Sequence, residues 1–193
     1  MMNTLARNAA LLIIDVQVGF DEPRWGRRNN PQLEARIADL LAAWRANERP
    51  SIHAKHNSIH PTSPLRPGQR GNDFKAEAVP LPGELVIEKQ VNSCFIGTSL
   101  ESVLRSHGYD TLVIAGISTN HCVSTTTRMA GNLGFTAWVV SDATATFDRV
   151  GPDGIEYPAE QIHAIALSDL HGEFATVVDT RTVIAAVESG LPS

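Results

Sequence analysis

Three side chains of complementary chemistry stand where apolar runs end. Asp15 closes Ala9-Ala10-Leu11-Leu12-Ile13-Ile14, Lys89 follows Leu85-Val86-Ile87, and Cys122 comes shortly after Thr111–Ala115. A thiol attacks carbon as its thiolate, so it needs a base, and a carboxylate can take that proton. A lysine near both would favour the charged carboxylate and the thiolate. Asp15, Lys89 and Cys122 are thus the residue types that acyl transfer through a cysteine requires. Cys122 ends the stretch Gly116-Ile117-Ser118-Thr119-Asn120-His121-Cys122, between a strand-like and a helix-like run. There the field of a helix N-terminus stabilises a thiolate. The bland alternative for a free cysteine is a small buried hydrophobe. On this stretch alone it stays open for Cys122, and Cys94 reads as inert packing.

The elements that would carry these residues alternate along the chain. Ala9–Ile14 is a continuous apolar run, the pattern of a strand buried on both faces of a parallel sheet. A carboxylate at its end lies where open α/β sheets bind ligands. Val16–Asn30 reads as a loop with Phe20 and Trp25 as its apolar members. Pro31–Asn47 has helical spacing at Leu33, Ile37, Leu40, Leu41 and Trp44. Ser51–His56 is a second strand, and the Pro- and Gly-rich segment 57–83 is one long ordered loop, a kind that is usually functional. Leu85–Ile87 is a third strand. Thr98–His107 reads as a helix with Thr98 and Glu101 at capping-box spacing and Gly108 closing it. A fourth strand (Thr111–Ala115), a helix (Cys122–Leu133) and a fifth strand (Thr136–Ser141) follow. After a loop over Thr144–Tyr157 come a helix (Pro158–His171), a sixth strand (Ala175–Val178) and a last helix (Thr182–Glu188). Such alternation predicts an α/β fold, a parallel sheet covered on both faces.

Composition bounds the function. The 193 residues carry a net charge of −5, with 42% apolar and 19% charged residues. These values suit one domain of a soluble enzyme and give no basic footprint for nucleic acid. No apolar run approaches the length of a membrane helix. Met1–Asn8 lacks the layout of a signal peptide, and two cysteines make no disulfide framework. A reduced, cytoplasmic protein is expected.

The chain resembles the isochorismatase-like cysteine hydrolases, which include nicotinamidases, carbamoylsarcosine amidohydrolase and other small-amide hydrolases. The matching pieces are Leu12-Ile13-Ile14-Asp15-Val16-Gln17 with Phe20, Val86-Ile87-Glu88-Lys89, Phe95-Ile96-Gly97-Thr98-Ser99-Leu100-Glu101, Gly116–Val123 and Val140-Ser141-Asp142-Ala143, in order over residues 9–180. The resemblance implies a three-layer α-β-α domain with a six-stranded, mostly parallel sheet in the Rossmann-like order 3-2-1-4-5-6. It implies an Asp15-Lys89-Cys122 triad: Cys122 attacks an amide or carbamoyl carbon, Asp15 passes the thiol proton to the leaving nitrogen, and Lys89 holds the charges. It also implies a non-proline cis peptide at Ile117–Ser118, which would aim the Ser118 N–H, with that of Cys122, at the oxyanion. No cofactor is implied.

One departure concerns metal. Nicotinamidases carry an Asp-x-His metal motif after the second strand. Here His56 stands where the aspartate belongs and Ser58 where the first histidine belongs. In a strand, His53 and His56 point to opposite faces, so the three histidines His53, His56 and His60 make no site by count alone, and none is expected. Phe20, Trp25, His56 and Phe95 are candidate pocket walls. His121 either contacts substrate or covers the loop. His163 and His171 read as structural or exposed, and Asp142 as ordering loops around the site. The expected activity is a metal-independent amidohydrolase forming a thioester with a small amide, carbamoyl compound or ureide. The alternatives are a streptothricin-hydrolase-like enzyme for a larger amide or lactam, a nicotinamidase, an isochorismatase, and a binding protein on the same fold. A small-molecule partner and a homodimer or homotetramer are expected, with 57–83 as lid or interface.

Overall fold

Six apolar segments pair into one parallel sheet in the computed structural model of the chain, which describes residues 5–189. They are β1 (Ala10–Ile14), β2 (Ser51–His56), β3 (Leu85–Lys89), β4 (Thr111–Ile117), β5 (Thr136–Ala145) and β8 (Thr176–Val178). Between the last two, β6 (Arg149–Val150) and β7 (Glu156–Tyr157) form a short antiparallel hairpin. The sheet runs β3-β2-β1-β4-β5-β8 with every neighbouring pair parallel, the expected order.

β1 lies near the middle of the sheet, and all five of its side chains are buried. Successive side chains face opposite sides of a sheet, so the run feeds two cores. Leu11 and Ile13 pack with α1 (Leu33–Ala46) and α5 (Thr180–Glu188) on one face. Ala10, Leu12 and Ile14 pack with α2 (Leu100–Ser106), α3 (Ser124–Asn132) and α4 (Ala159–Leu170) on the other. Each buried Leu or Ile contributes about 1.5–3 kcal/mol, so β1 anchors both layers. Its position, and that of Asp15 beyond it, is thereby fixed. Trp44 of α1 adds a polar tie, its Nε1 donating to the Ala9 carbonyl at 3.2 Å.

Several boundaries differ from the sequence reading. α2 starts at Leu100. The Thr98 hydroxyl accepts from the Leu100 N–H at 3.2 Å, while Glu101 pairs with Arg105 at 2.9 Å, so no capping box forms. The helix expected from Cys122 is two pieces, a π-helical turn at Thr119–Val123 running into α3. β5 does not stop at Ser141. Ile114 pairs with Val139 but Gly116 pairs with Thr144, so β5 bulges between these rungs and then resumes to Ala145. Asp142 sits in that bulge and accepts from both N and Oγ1 of Thr180, each at 2.8 Å, which fixes the start of α5. The expected loop over 144–157 is thus partly strand.

The long segment 57–83 is pinned from below. Asn72, buried in it, lies with Nδ2 at 2.8 Å from the Leu65 carbonyl and 3.0 Å from the His56 carbonyl. The Gln17 Oε1 accepts from the His56 N–H at 2.9 Å, and its Nε2 donates to the Asn72 carbonyl at 2.9 Å. Lys75, also buried, pairs with Asp21 and, at 2.6 Å, with Glu34 of α1.

Candidate active site

The carboxyl edge of the sheet brings the sequence-predicted residues together in strand order. Lys89 ends β3, His56 ends β2, Asp15 follows β1, and the turn carrying Cys122 follows β4. Asp15 has φ 53°, in the left-handed region that few non-glycine residues adopt. Its N–H donates to the Ala54 carbonyl at 3.0 Å and its carbonyl accepts from the Gln17 N–H at 2.9 Å, so the strained turn is held on both sides. Opposite it, Gly116 has φ 130°, and a Cβ there would fall 2.0 Å from the Ile14 carbonyl oxygen. Only glycine lets β4 pass β1 this closely. The Ile117–Ser118 peptide is cis.

The side chains of Asp15 and Lys89 are both 0% exposed and joined by Nζ to Oδ2 at 2.6 Å. Asp15 Oδ1 is buried and without a hydrogen-bond partner. Atoms of the Asp15 carboxylate, His56 and the Cys122 sulfur lie within 4.8 Å of one another. The thiol also lies 3.8 Å from Asn92 Oδ1. The carboxylate therefore presents one engaged and one free oxygen in the neighbourhood of the thiol, the arrangement a proton acceptor needs.

The electrostatics correct one expectation. Burial, and then the Asp15 charge, push the Cys122 thiol well above its usual range, with Lys89 only partly opposing them. Desolvation of the anion outweighs the lysine, so the sulfur rests as a thiol rather than as a preformed thiolate. Burial works against the Lys89 charge more than any one neighbour favours it, but Asp15 together with the two nearby cysteines raises the lysine pKa above its ordinary value. Burial, then Lys89, depress His56, so its ring is neutral. Its Nδ1 accepts from Lys89 Nζ at 3.3 Å, because an ammonium only donates. Burial holds Cys94 at about 12, consistent with inert packing.

Over this floor opens a cleft of about 140 Å³. Phe20, Trp25, His56 and His121 line it as the sequence suggested, along with Ser118 and Cys122. Phe95 does not: it is buried on the α2 and α3 side, where its ring stacks on Phe135 at 5.8 Å. Leu65, Asn92, Phe147 and Arg149 also line the cleft and were missed. Asn92 lies three residues beyond Lys89, where the strand-end argument could have found it. Phe147 stacks on Phe20 at 6.1 Å, and neither it nor Arg149 carries any signal in its local sequence. His163 bonds Thr119 Oγ1 at 2.8 Å and His171 Nδ1 accepts from the Val177 N–H at 3.0 Å, so both are structural.

The histidines of 53–60 do not converge. His53 bonds Glu84 at 3.0 Å, and His60 contacts Thr62 at 3.1 Å. The trio Asp15, His56 and Cys122 offers atoms a metal could use, but the Lys89 ammonium touches two of its members. A cation there would face a fixed positive charge, so these residues do not fit a metal site. No helix among the described residues is long and apolar enough to cross a membrane.

Comparison with known proteins agrees with the fold. The family model for the isochorismatase domain matches residues 9–182. The isochorismatase family protein YrdC of Bacillus subtilis (strain 168) is 45% identical over 175 residues, 91% of this chain and 94% of its own. A solved structure of an isochorismatase-family protein from Chromobacterium violaceum superimposes with TM-score 0.94 at 46% identity, covering 98% of this chain and 100% of that one. An isochorismatase from Pseudomonas putida KT2440 gives TM-score 0.84 at 33% identity over 91% and 90% of the two chains. With the model spanning most of its length and such relatives covering nearly all of it, the chain belongs to the isochorismatase family of hydrolases.

Proposed function

We propose that this hydrolase cleaves the C–N bond of a small amide, carbamoyl compound or ureide through a thioester on Cys122, without a metal. The observation that carries the reading is the free Asp15 Oδ1 in the neighbourhood of the Cys122 thiol while Lys89 occupies Oδ2. As sulfur attacks the carbonyl carbon, Asp15 takes the S–H proton. The carbonyl oxygen becomes an oxyanion, which the backbone N–H groups of Ser118 and Cys122 receive; one such donor is worth about 10²–10³ in rate. Asp15 then passes its proton to the leaving nitrogen, the C–N bond breaks, and the amine or ammonia departs. Water loses a proton to Asp15, adds to the thioester, and the C–S bond breaks as the proton returns to sulfur. Lys89 stays charged throughout and holds the Asp15 carboxylate by Oδ2 between proton transfers.

Cys122 favours this over the vinyl-ether chemistry of isochorismatase, which needs no nucleophilic sulfur. The test is ammonia release from a panel of small amides by the wild type and Cys122→Ala, with mass spectrometry for an acyl adduct on the wild type. Turnover by Cys122→Ala within tenfold of the wild type sinks the proposal, and Cys94→Ala should be mild in comparison.

A further inference from the structure

Arg149, the first residue of β6, stands at the cleft mouth beside Trp25, Phe147 and His121. Of the acids that follow or precede it in the chain, Asp148 and Glu160 are held by Arg27 at 2.9 and 2.6 Å, Asp153 accepts from the Ile155 N–H at 3.1 Å, and Glu156 lies outside the lining of this cleft. Among the described residues the Arg149 guanidinium has no carboxylate partner, and its hydrogen bond runs from Nη2 to His121 Nδ1 at 3.0 Å. A guanidinium only donates, so His121 Nδ1 accepts and the ring carries its proton on Nε2. The Ser118 hydroxyl, 3.3 Å from the same Nδ1, fits that tautomer. The one carboxylate lining the cleft is Asp15, on the floor and bound to Lys89. The mouth therefore offers a positive charge and an N–H donor with no negative partner, beside an apolar wall of Phe20, Trp25 and Phe147.

We propose that the substrate of this site is a small amide or carbamoyl compound that also bears a carboxylate, received by Arg149 at the mouth while Cys122 attacks the carbonyl on the floor. The inference rests on the thioester reading above and narrows its substrate class. Arginine suits the role because its planar fork matches a carboxylate with two parallel charge-assisted bonds. With His121 fixing the guanidinium from the side, less freedom is lost when the anion docks. Arg149 is then a specificity-determining residue that sorts anionic from neutral amides.

The probes are ω-haloalkanoates of two to four carbons and their matched neutral amides, reacted at pH 8 with wild type, Arg149→Met and Arg149→Lys. Alkylation of Cys122 is followed by mass spectrometry, with each neutral amide as the reference for its acid. In the wild type at least one acid should react faster than its amide by about tenfold or more, Arg149→Met should lose that ratio, and Arg149→Lys should keep part of it. Equal rates for every pair in the wild type, or a ratio that Arg149→Met leaves unchanged, overturns the carboxylate assignment and leaves the thiol chemistry standing. Absence of Cys122 alkylation by every probe also overturns the carboxylate assignment, whereas the nucleophile reading falls only if Cys122→Ala keeps its turnover.

Discussion

Lys89→Met separates bracing from chemistry at the buried pair. The substitution keeps an unbranched side chain and removes the charge that meets Asp15 Oδ2 at 2.6 Å. Asp15 Oδ1 already lacks a partner, so the variant leaves a fully buried carboxylate with neither oxygen paired through that contact. Breaking such a pair from one side costs about 3–5 kcal/mol, a large part of the roughly 5–15 kcal/mol that holds a domain together. With a urea slope of about 2 kcal/mol/M, the unfolding midpoint should fall by roughly 2 M. Asp15→Asn with Lys89→Met removes both charges, and should recover most of that loss, since the penalty belongs to the unpaired ion. Turnover should be lost in both variants by several orders of magnitude, because the residues act as a unit. The assay is urea unfolding followed by tryptophan fluorescence, alongside ammonia release. A Lys89→Met midpoint equal to wild type, a double variant no more stable than the single, or activity in the double variant would each refute the reasoning. The sign with pH is also fixed. Folding raises the Lys89 pKa, so its contribution is complete below 10.5 and is lost as the pH climbs past that value.

Three further outcomes are expected. Burial tends to raise the Glu34 pKa, but Arg28 and Lys75 hold it at about 2 against an ordinary 4.5. That stability is present above pH 4.5 and lost toward pH 2; Glu34→Gln should remove about 3 kcal/mol of acid dependence, read as a flatter curve of unfolding midpoint against pH. Gly116→Ala should cost about 4 kcal/mol or more, or prevent folding, because the added carbon meets the Ile14 carbonyl; a melting temperature within a few degrees of wild type would contradict the close strand approach. Dialysis against EDTA should leave activity intact, and a loss restored by zinc, iron or manganese would mean that Lys89 does not keep cations from Asp15, His56 and Cys122.

How much of this was legible in the sequence depended on whether a signal was local. The sheet was readable because β1 and β4 are near-continuous apolar runs and α1 repeats its buried side chains at helical spacing. Asp15, Lys89 and Cys122 were readable because parallel strands deliver their next residues to one edge. The bulge of β5 was not, since it depends on how Gly116 and Thr144 meet. Phe95 lies in a matched motif, yet its ring direction is set by Phe135, far away in the chain. Phe147 and Arg149 belong to a segment whose strands span two residues each, too short for any periodicity. The raised thiol pKa followed from burial, which composition does not report.

Gln17 gives the site a property that bears on redesign. Its amide bonds the N–H and the carbonyl of His56, at 2.9 and 3.2 Å, as a neighbouring strand's backbone would. A side chain thus supplies the rung that the main chain gives up when Asp15 turns away from the sheet. The edge carrying His56 stays stitched to the centre of the fold, and Asn72 of the loop that follows bonds the same carbonyl at 3.0 Å. Floor and walls are therefore separable modules: Phe20, Trp25 and Phe147 can be exchanged to admit other substrates, while Gln17, Asn72 and Gly116 keep the reactive groups in register.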